Sequence, residues 1–536
     1  MADTIEIYDS TLRDGAQAEG ISYSLKDKLI IAQRLDALGV HYIEGGWPNP
    51  TNPKDLAFFQ EVSKLGLKKA KVTAFGSTRR ASNPPEEDSI LNTLLMAGTK
   101  SIALFGKSWT LHAEDVLGTT LDENVALIED SVRFLVSRDR EVVYDAEHFF
   151  DGYKTDPEYA VETLLAAQRG GADVLVLCDT NGGTLTSELT RILEKVIPRI
   201  DTAFGIHAHN DSGVAVANSL VAVEMGARQV QGTFNGYGER CGNANLCSII
   251  PNLELKMGRT AIGLDKVGSL SGFSRFLSET ANAAHDHRQP YVGESAFAHK
   301  GGAHIDGVMK VARSFEHVEP ESVGNERRFL VSDQSGGSTI VNKLRRTLPD
   351  INKKDPLVGQ VLERVKRLEN EGYQFEAAEG SFDLLARRVQ GTYRDLFTLV
   401  NFRTINRKTG EESEDAEAIV KVDVDGNEYH TVASGDGPVN ALDRALRKAL
   451  EVEFPSIGEV HLEDYKVRVL SGADGTASRV RVLIESSDGE DAWGTVGVSE
   501  NVIEASWIAL ADSLHYKLMK DGASARGQAE PSSAAG

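Results

Sequence analysis

Two histidines in the segment IHAHNDSG, His207 and His209, have the spacing of a metal-binding pair. In a β-strand, residues i and i+2 point to the same face, so both imidazoles would face one ion. Asp14 in STLRDGAQ and Asn243 in GYGERCGN could add a carboxylate and an amide oxygen to the pair. Such a set suits Mg2+, Mn2+ or Zn2+. We therefore predict a divalent-metal site; the alternative is a hydrogen-bonded pair of structural histidines, which a convergence with Asp14 would disfavour.

Four other polar residues could act on a substrate beside such a metal. Arg13 could hold a carboxylate or an oxygen that becomes negative, although a salt bridge would also explain it. Glu147 could orient or deprotonate a substrate, and Thr180 could bind a carboxylate or simply cap the next helix. His304 lies in the glycine-rich AFAHKGGAHIDG, where it could approach the site or be an ordinary loop histidine.

The elements that must position these residues are visible as a repeating pattern. Eight short apolar runs begin at residues 5, 42, 71, 101, 142, 174, 203 and 229, and stretches of helical periodicity lie between them. The seventh run is predicted to extend to His209 and the eighth to Asn235. This alternation predicts a (β/α)8 TIM barrel, with an open doubly wound sheet as the alternative. In a barrel, strands seven, eight and one are neighbours, so Arg13, Asp14, His207, His209 and Asn243 would meet at the C-terminal face.

The rest of the chain predicts further domains. We assign residues 1–260 to the barrel, 261–388 to helical linker subdomains, 389–520 to a C-terminal α+β domain, and 521–536 to a disordered tail.

The C-terminal domain contains an internal repeat, because DGNEYHTVASGDGPVNALDRAL resembles DGEDAWGTVGVSENVIEASWIAL. Val432 aligns with Val496 and Leu446 with Leu510, an offset of 64 each time. The repeat predicts two βββα halves, and the alternative is one irregular α+β domain.

Composition excludes several classes of protein. The 536 residues carry 58 Lys+Arg and 80 Asp+Glu, a formal charge of −22, which excludes a nucleic-acid binder with a basic surface. No apolar run reaches the roughly 18 residues of a membrane span, and the first residues lack the pattern of a signal peptide. We expect a cytosolic protein without nucleic-acid or membrane partners.

Taken together, STLRDGAQ, IHAHNDSG and GYGERCGN resemble the acyl-CoA condensing family that includes 2-isopropylmalate, homocitrate and citramalate synthases. IEGGWPNPTNPKD and VGNERRFLVSDQSGG are most similar to the citramalate-forming branch. The resemblance implies a Claisen-type condensation of acetyl-CoA with pyruvate, then hydrolysis to citramalate and CoA for isoleucine synthesis. The alternatives are condensation with 2-oxoisovalerate, the reverse reaction of hydroxymethylglutaryl-CoA lyases, and an inactive amino-acid sensor.

The resemblance also implies a divalent metal, acetyl-CoA as co-substrate, isoleucine as inhibitor and a homodimer formed by the C-terminal domain. It further implies a role for each of eight site residues. Phe315 and Gly337 depart from the family, which commonly has tyrosine and arginine there. The residues that match the family's motifs are Asp14, His207, His209 and Asn243 as metal ligands, Arg13 beside the keto acid, Glu147 as the active-site glutamate, Thr180 at the substrate carboxylate, and His304 as a catalytic relay or base.

Overall fold

A computed structural model describes residues 4–49, 51–332, 334–345, 348–407, 415–470 and 478–522. The chain divides into two compact units, which are described separately. The first comprises Met1–Phe297 with Glu316–Arg327, and the second comprises Ala298–Phe315 with Arg328–Gly536. Across the described ranges, no helix combines the length and the apolar character needed to cross a membrane.

Eight parallel strands form a closed barrel in the first unit, in sequence order. Closure is made by the first strand, which pairs with the second (Tyr8 opposite Tyr42) and with the eighth (Ile7 opposite Val230). The predicted TIM barrel is thereby confirmed, and the open sheet is excluded. The strands are β1 (Glu6–Asp9), β2 (Tyr42–Gly46), β3 (Lys71–Ser77), β4 (Ser101–Lys107), β5 (Glu141–Glu147), β6 (Val174–Asp179), β7 (Phe204–Ala208) and β8 (Gln229–Gly232).

Helices surround the barrel, and local signals set where they begin and end. In the first helix the Ser24 side chain accepts a hydrogen bond from the Asp27 amide, and Gly39 ends the helix at a φ of 98°, a conformation that favours glycine. The helices of this unit are α1 (Leu25–Leu38), α2 (Pro53–Val62), α3 (Ser89–Met96), α4 (Leu121–Ser137), α5 (Phe149–Thr155), α6 (Pro157–Gly170), α7 (Thr186–Val196), α8 (Ala215–Glu224), α9 (Leu246–Leu255), α10 (Leu264–Val267) and α11 (Leu270–Thr280).

Alternation along the strands separates the helix-facing core from the barrel interior. On β5, Val142 and Tyr144 belong to the large cluster that packs against the helices, whereas Val143 belongs to a smaller cluster inside the barrel. The next residues with the parity of Val143 are Asp145 and Glu147, which line the main cavity. The interior therefore changes from apolar to carboxylate toward the C-terminal end of the strand.

The second unit contains helices and three small sheets. Two antiparallel three-stranded sheets are each followed by a helix, which confirms the two predicted βββα halves, and Val432 and Val496 occupy equivalent third strands. Of the predicted tail, residues 523–536 lie outside the described residues. The elements are β9 (Ala298–His299), α12 (Gly302–Lys310), β10 (Arg328–Phe329), α13 (Gly337–Leu344), α14 (Pro356–Asn370), α15 (Glu379–Gln390), β11 (Thr398–Arg407), β12 (Asp415–Val424), β13 (Asn427–Gly435), α16 (Pro438–Leu450), β14 (His461–Val469), β15 (Val480–Ser487), β16 (Ala492–Ser499) and α17 (Val502–Lys520).

The ends of β7 and β8 differ from the sequence prediction, which extended these strands to His209 and Asn235. Both strands stop earlier because the following loop folds back over them: the amide of Ala244 donates to the carbonyl of Ala208, and His209 forms an isolated bridge with Asn243. This fold-back brings the amide side chain of Asn243 to the end of β7.

Candidate active site at the C-terminal end of the barrel

Asp14, His207 and His209 lie together, although the chain separates the aspartate from the histidines by almost two hundred residues. Their nearest ligand atoms all lie within 4.8 Å of one another, and all three side chains are buried. Oδ2 of Asp14 is 3.3 Å from Nε2 of His207 and 3.7 Å from Nε2 of His209. The structure thus supplies the convergence that favours a metal over two structural histidines.

Asn243 completes this group. Its Nδ2 is 2.9 Å from Oδ2 of Asp14 and 3.2 Å from Nε2 of His207, while its buried Oδ1 has no hydrogen-bond partner among the described residues. Oxygen and nitrogen of a carboxamide exchange places when the amide is turned over, so Oδ1 can face the same point as the other ligand atoms. Two imidazole nitrogens 3.2 Å apart, a carboxylate and an amide oxygen fit a divalent cation.

Gln231 holds His207 from the other side. The amide oxygen of Gln231 is 2.9 Å from Nδ1 of His207, and its Nε2 donates to Asp145 at 2.9 Å. In this arrangement Nδ1 of His207 carries the proton, and the lone pair of Nε2 is left for a ligand. Burial raises the pKa of Asp145 to about 7. Sequence reasoning missed Gln231, although a glutamine inside the buried strand QVQG was a usable signal.

Arg13 is fixed beside the same cluster. Its Nε donates to Glu44 at 2.6 Å, its guanidinium lies 3.8 Å from the centre of the Phe75 ring, and its Nη1 is 3.6 Å from Oδ2 of Asp14. Burial opposes ionisation of Asp14, but the charge of Arg13 and the hydrogen bond with His207 outweigh it and hold the pKa of this carboxyl well below its usual range. Glu44 was also missed, although an acid inside the buried run YIEGG indicated it.

The cluster opens into a cavity of about 500 Å³. Six of the eight predicted site residues line this cavity, and a seventh contacts two of the lining residues. An aromatic wall of Trp47, Phe75 and Phe105 lies along it, with Phe75 and Phe105 stacked at 5.1 Å. The predicted site residues that line the cavity are Arg13, Asp14, Glu147, Thr180, His207 and His209, and Asn243 contacts two of them.

The side chains of Glu147 and Thr180 both contact neighbours on the barrel rim. Glu147 forms an ion pair with Lys107 from the neighbouring strand. The hydroxyl oxygen of Thr180 accepts a hydrogen bond from the amide of His148 at 2.9 Å. The next helix, α7, has Leu185 at its N-cap, so Thr180 does not cap it. Its hydroxyl proton is therefore available to donate into the cavity.

His304 belongs to the second unit and is described there by itself. It lies in α12, and its ring stacks on Phe315 at 4.3 Å with an interplanar angle of 26°. Phe315 is the residue that replaces the family's usual tyrosine, so this position contributes an aromatic face but no hydroxyl.

Comparisons with known proteins bear on this arrangement. Residues 4–273 match the family described as HMGL-like, residues 291–373 the homocitrate synthase post-HMGL domain-like family, and residues 376–518 the LeuA allosteric (dimerisation) domain. A relative from Aquifex aeolicus named (R)-citramalate synthase is 54% identical over 523 residues, 97% of this chain and 99% of the relative. One with the same name from Geobacter sulfurreducens is 54% identical and covers 96% of this chain and 98% of the relative. The chain belongs to the (R)-citramalate synthase family.

Membership of the (R)-citramalate synthase family confirms the resemblance carried by STLRDGAQ, IHAHNDSG and GYGERCGN. A probable 2-isopropylmalate synthase from Methanopyrus kandleri is 31% identical over 94% of this chain and 97% of the relative. Since 54% and 31% are measured over nearly the same span, the chain is more similar to these citramalate synthases than to this isopropylmalate synthase.

Proposed function

We propose that this protein is an (R)-citramalate synthase, which joins acetyl-CoA to pyruvate and hydrolyses the resulting thioester to citramalate and CoA. The observation that carries the proposal is that Arg13, Asp14, His207 and His209 meet on the wall of a cavity of about 500 Å³ in a chain of this family. The nearly full-length identity to enzymes of that name supports the choice of pyruvate as the acceptor.

We propose Asp14, His207, His209 and Asn243 as the residues that hold a divalent metal, which is Mg2+, Mn2+ or Zn2+. When bound, such an ion polarises the keto carbonyl of the acceptor. Glu44 keeps the guanidinium of Arg13 beside this point, where its positive charge stabilises the oxygen that becomes negative as the new carbon–carbon bond forms.

Thr180 and Glu147 line the same cavity and have separate proposed tasks. Thr180 donates its hydroxyl proton to the pyruvate carboxylate, since its oxygen already accepts from a backbone amide. Glu147, oriented by Lys107, is the proposed group for removing a proton from the acetyl methyl group, and His304 is proposed as a catalytic relay or base. The basis for including His304 is the resemblance to the family.

We propose that the remaining domains regulate and assemble the enzyme. Residues 1–260 form the catalytic barrel, 261–388 link it to the C-terminal domain, and 389–520 bind isoleucine as an inhibitor and form a homodimer. The match of residues 376–518 to an allosteric dimerisation domain supports both roles. Titration calorimetry of the full chain with isoleucine and, separately, leucine tests the ligand, and light scattering tests the dimer. The proposed location is the cytosol.

The release of free CoA thiol tests the catalytic proposal. Purified protein is given acetyl-CoA and Mg2+ or Mn2+, with pyruvate in one reaction and 2-oxoisovalerate in another, and each reaction is repeated after chelation of the metal. Thiol release that requires both pyruvate and metal supports citramalate synthesis. Faster release with 2-oxoisovalerate would assign the chain to isopropylmalate synthesis, and silence with both keto acids would indicate an inactive sensor.

A further inference from the structure

A second cavity, of about 290 Å³, lies on the same face of the barrel between the loops that follow β3 and β4. Phe105 lines both this cavity and the main one, so the two are neighbours. The remaining wall carries cations and hydroxyls, and of these polar residues the proposed catalytic steps use only Lys107, which orients Glu147. The polar residues that line it are Ser77, Thr78, Arg79, Arg80, Lys107 and Thr119.

Arg79 contributes a buried guanidinium that is only partly satisfied by the chain. The residue is 9% exposed. Its Nη2 pairs with Asp130 at 2.8 Å and its Nη1 donates to the carbonyl of Asn83 at 3.0 Å, but its buried Nε has no partner among the residues that the structure describes. A buried donor without an acceptor is costly, which points to an acceptor that is not part of the chain.

Arg80 and Lys107 also line this cavity and carry positive charge. Arg80 is exposed, and within the described ranges its guanidinium forms no ion pair. Lys107 forms its ion pair with Glu147, on the side of the main cavity. Arginine forks together with hydroxyl donors are the usual partners of phosphate oxygens.

Leu117 gives the cavity an apolar edge that is exposed to solvent. It is 45% exposed, and Val116 before it is 60% exposed. Val116 is the last residue of an irregular π-helical turn, His112–Val116, and Leu117 follows it. Turns of this type are frequent at functional sites. An apolar edge beside a cationic pocket suits a nucleotide, whose base is flat and apolar and whose phosphates are charged.

The two cavities are neighbours across the rings of Phe75 and Phe105, as binding of one long substrate requires. The guanidinium of Arg13 lies 3.8 Å from the Phe75 ring centre, and Phe75 lies 5.1 Å from Phe105 at the edge of the second cavity. The pantetheine arm of CoA is a long flexible chain, so it can run from a thioester in the main cavity past Phe105 to phosphates in the adjoining cavity.

We propose that the second cavity binds the phosphate groups of acetyl-CoA, with Arg79 and Arg80 as its cationic ligands. The inference rests on the proposed synthase function, because it needs a CoA thioester as substrate. Charge-assisted hydrogen bonds from Arg80 would then lower the KM for acetyl-CoA without contributing to the condensation step.

The test compares Arg80→Gln with the full-length wild type, using two thioesters. Arg138→Gln is the matched control, since Arg138 is an exposed arginine at the far end of α4, which borders the cavity. We expect Arg80→Gln to raise the KM for acetyl-CoA about tenfold to a hundredfold, with kcat and the KM for pyruvate changed less than twofold. The effect should shrink below twofold with S-acetylpantetheine, which has no nucleotide. An equal effect on both thioesters, or an equal effect of Arg138→Gln, would overturn the proposal.

Calorimetric titration with inorganic diphosphate separates this inference from the proposed function. Diphosphate binding to the wild type that is at least tenfold weaker in Arg80→Gln, but not in Arg138→Gln, supports the phosphate site whether or not the protein turns over pyruvate. Normal turnover of pyruvate with the same diphosphate affinity in all three proteins would leave the synthase proposal standing and refute the phosphate site.

Discussion

Gln231→Leu removes a side chain that touches neither substrate nor the proposed ion, yet we expect it to weaken metal binding. In the wild type, the Gln231 amide accepts from Nδ1 of His207 and donates to Asp145, both at 2.9 Å. Leucine has a similar volume and keeps the strand buried, but it offers neither hydrogen bond. Nothing then holds the His207 proton on Nδ1, and the tautomer with a protonated Nε2 cannot bind a metal through that atom.

The expected size of this effect follows from the groups left unpaired. A buried donor that loses its only acceptor costs about 1–3 kcal/mol, and His207 is 6% exposed, so water cannot replace the amide fully. At about 1.4 kcal/mol for each tenfold step, metal affinity should fall by roughly 5-fold to 150-fold. Removal of a hydrogen-bond partner from a metal ligand typically costs 10-fold to 100-fold, which lies within that range.

Mn2+ titration followed by electron paramagnetic resonance measures the dissociation constant directly. The matched control is Gln229→Leu, which removes another buried glutamine two residues earlier on β8, without a contact to His207. The reasoning requires a weaker Mn2+ affinity in Gln231→Leu than in both the control and the wild type. If Gln231→Leu binds Mn2+ as tightly as Gln229→Leu does, the hydrogen bond does not set the tautomer.

Three further predictions concern charge, pH and packing. Arg13→Lys should lower kcat by about 100-fold or more in the CoA-thiol assay, because a lysine point charge cannot contact Glu44 and a developing oxyanion together; a loss below tenfold would contradict this role. Burial lowers the pKa of His41 to about 4, so the unfolded chain takes up a proton that the folded chain does not. The free energy of unfolding should fall by up to about 3 kcal/mol as the pH drops from 6.5 to 4, and His41→Gln should flatten this part of the urea-unfolding profile. Leu446→Ala should destabilise the C-terminal unit by about 2–5 kcal/mol in calorimetry, since the side chain is fully buried, whereas a loss under 1 kcal/mol would argue against tight packing.

The barrel was predictable because its strands are buried on both faces. Such strands are nearly continuous apolar runs, as in Val174–Asp179, and they stand out against the helical periodicity between them. The C-terminal ends of β7 and β8 were harder to predict from the sequence. Their true ends depend on a backbone hydrogen bond from Ala244 to Ala208, and a contact between distant segments has no trace in the local sequence.

The site was predictable only where several polar residues follow one strand. Asp14 and His209 stood out because motifs surround them, whereas Glu44 and Gln231 are single polar residues inside apolar runs. Their importance comes from what they face, Arg13 in one case and His207 in the other, and that depends on the closed barrel.

Closure of the barrel also determines when the proposed metal site can exist during synthesis. Asp14 leaves the ribosome among the first residues of the chain, whereas Asn243, its hydrogen-bond partner, lies 229 positions later and follows β8. Until β8 pairs with β1, the aspartate has no fixed position relative to the histidines of β7. The four proposed ligands therefore come together only on a finished barrel, so a chain terminated before β8 would lack the proposed metal site.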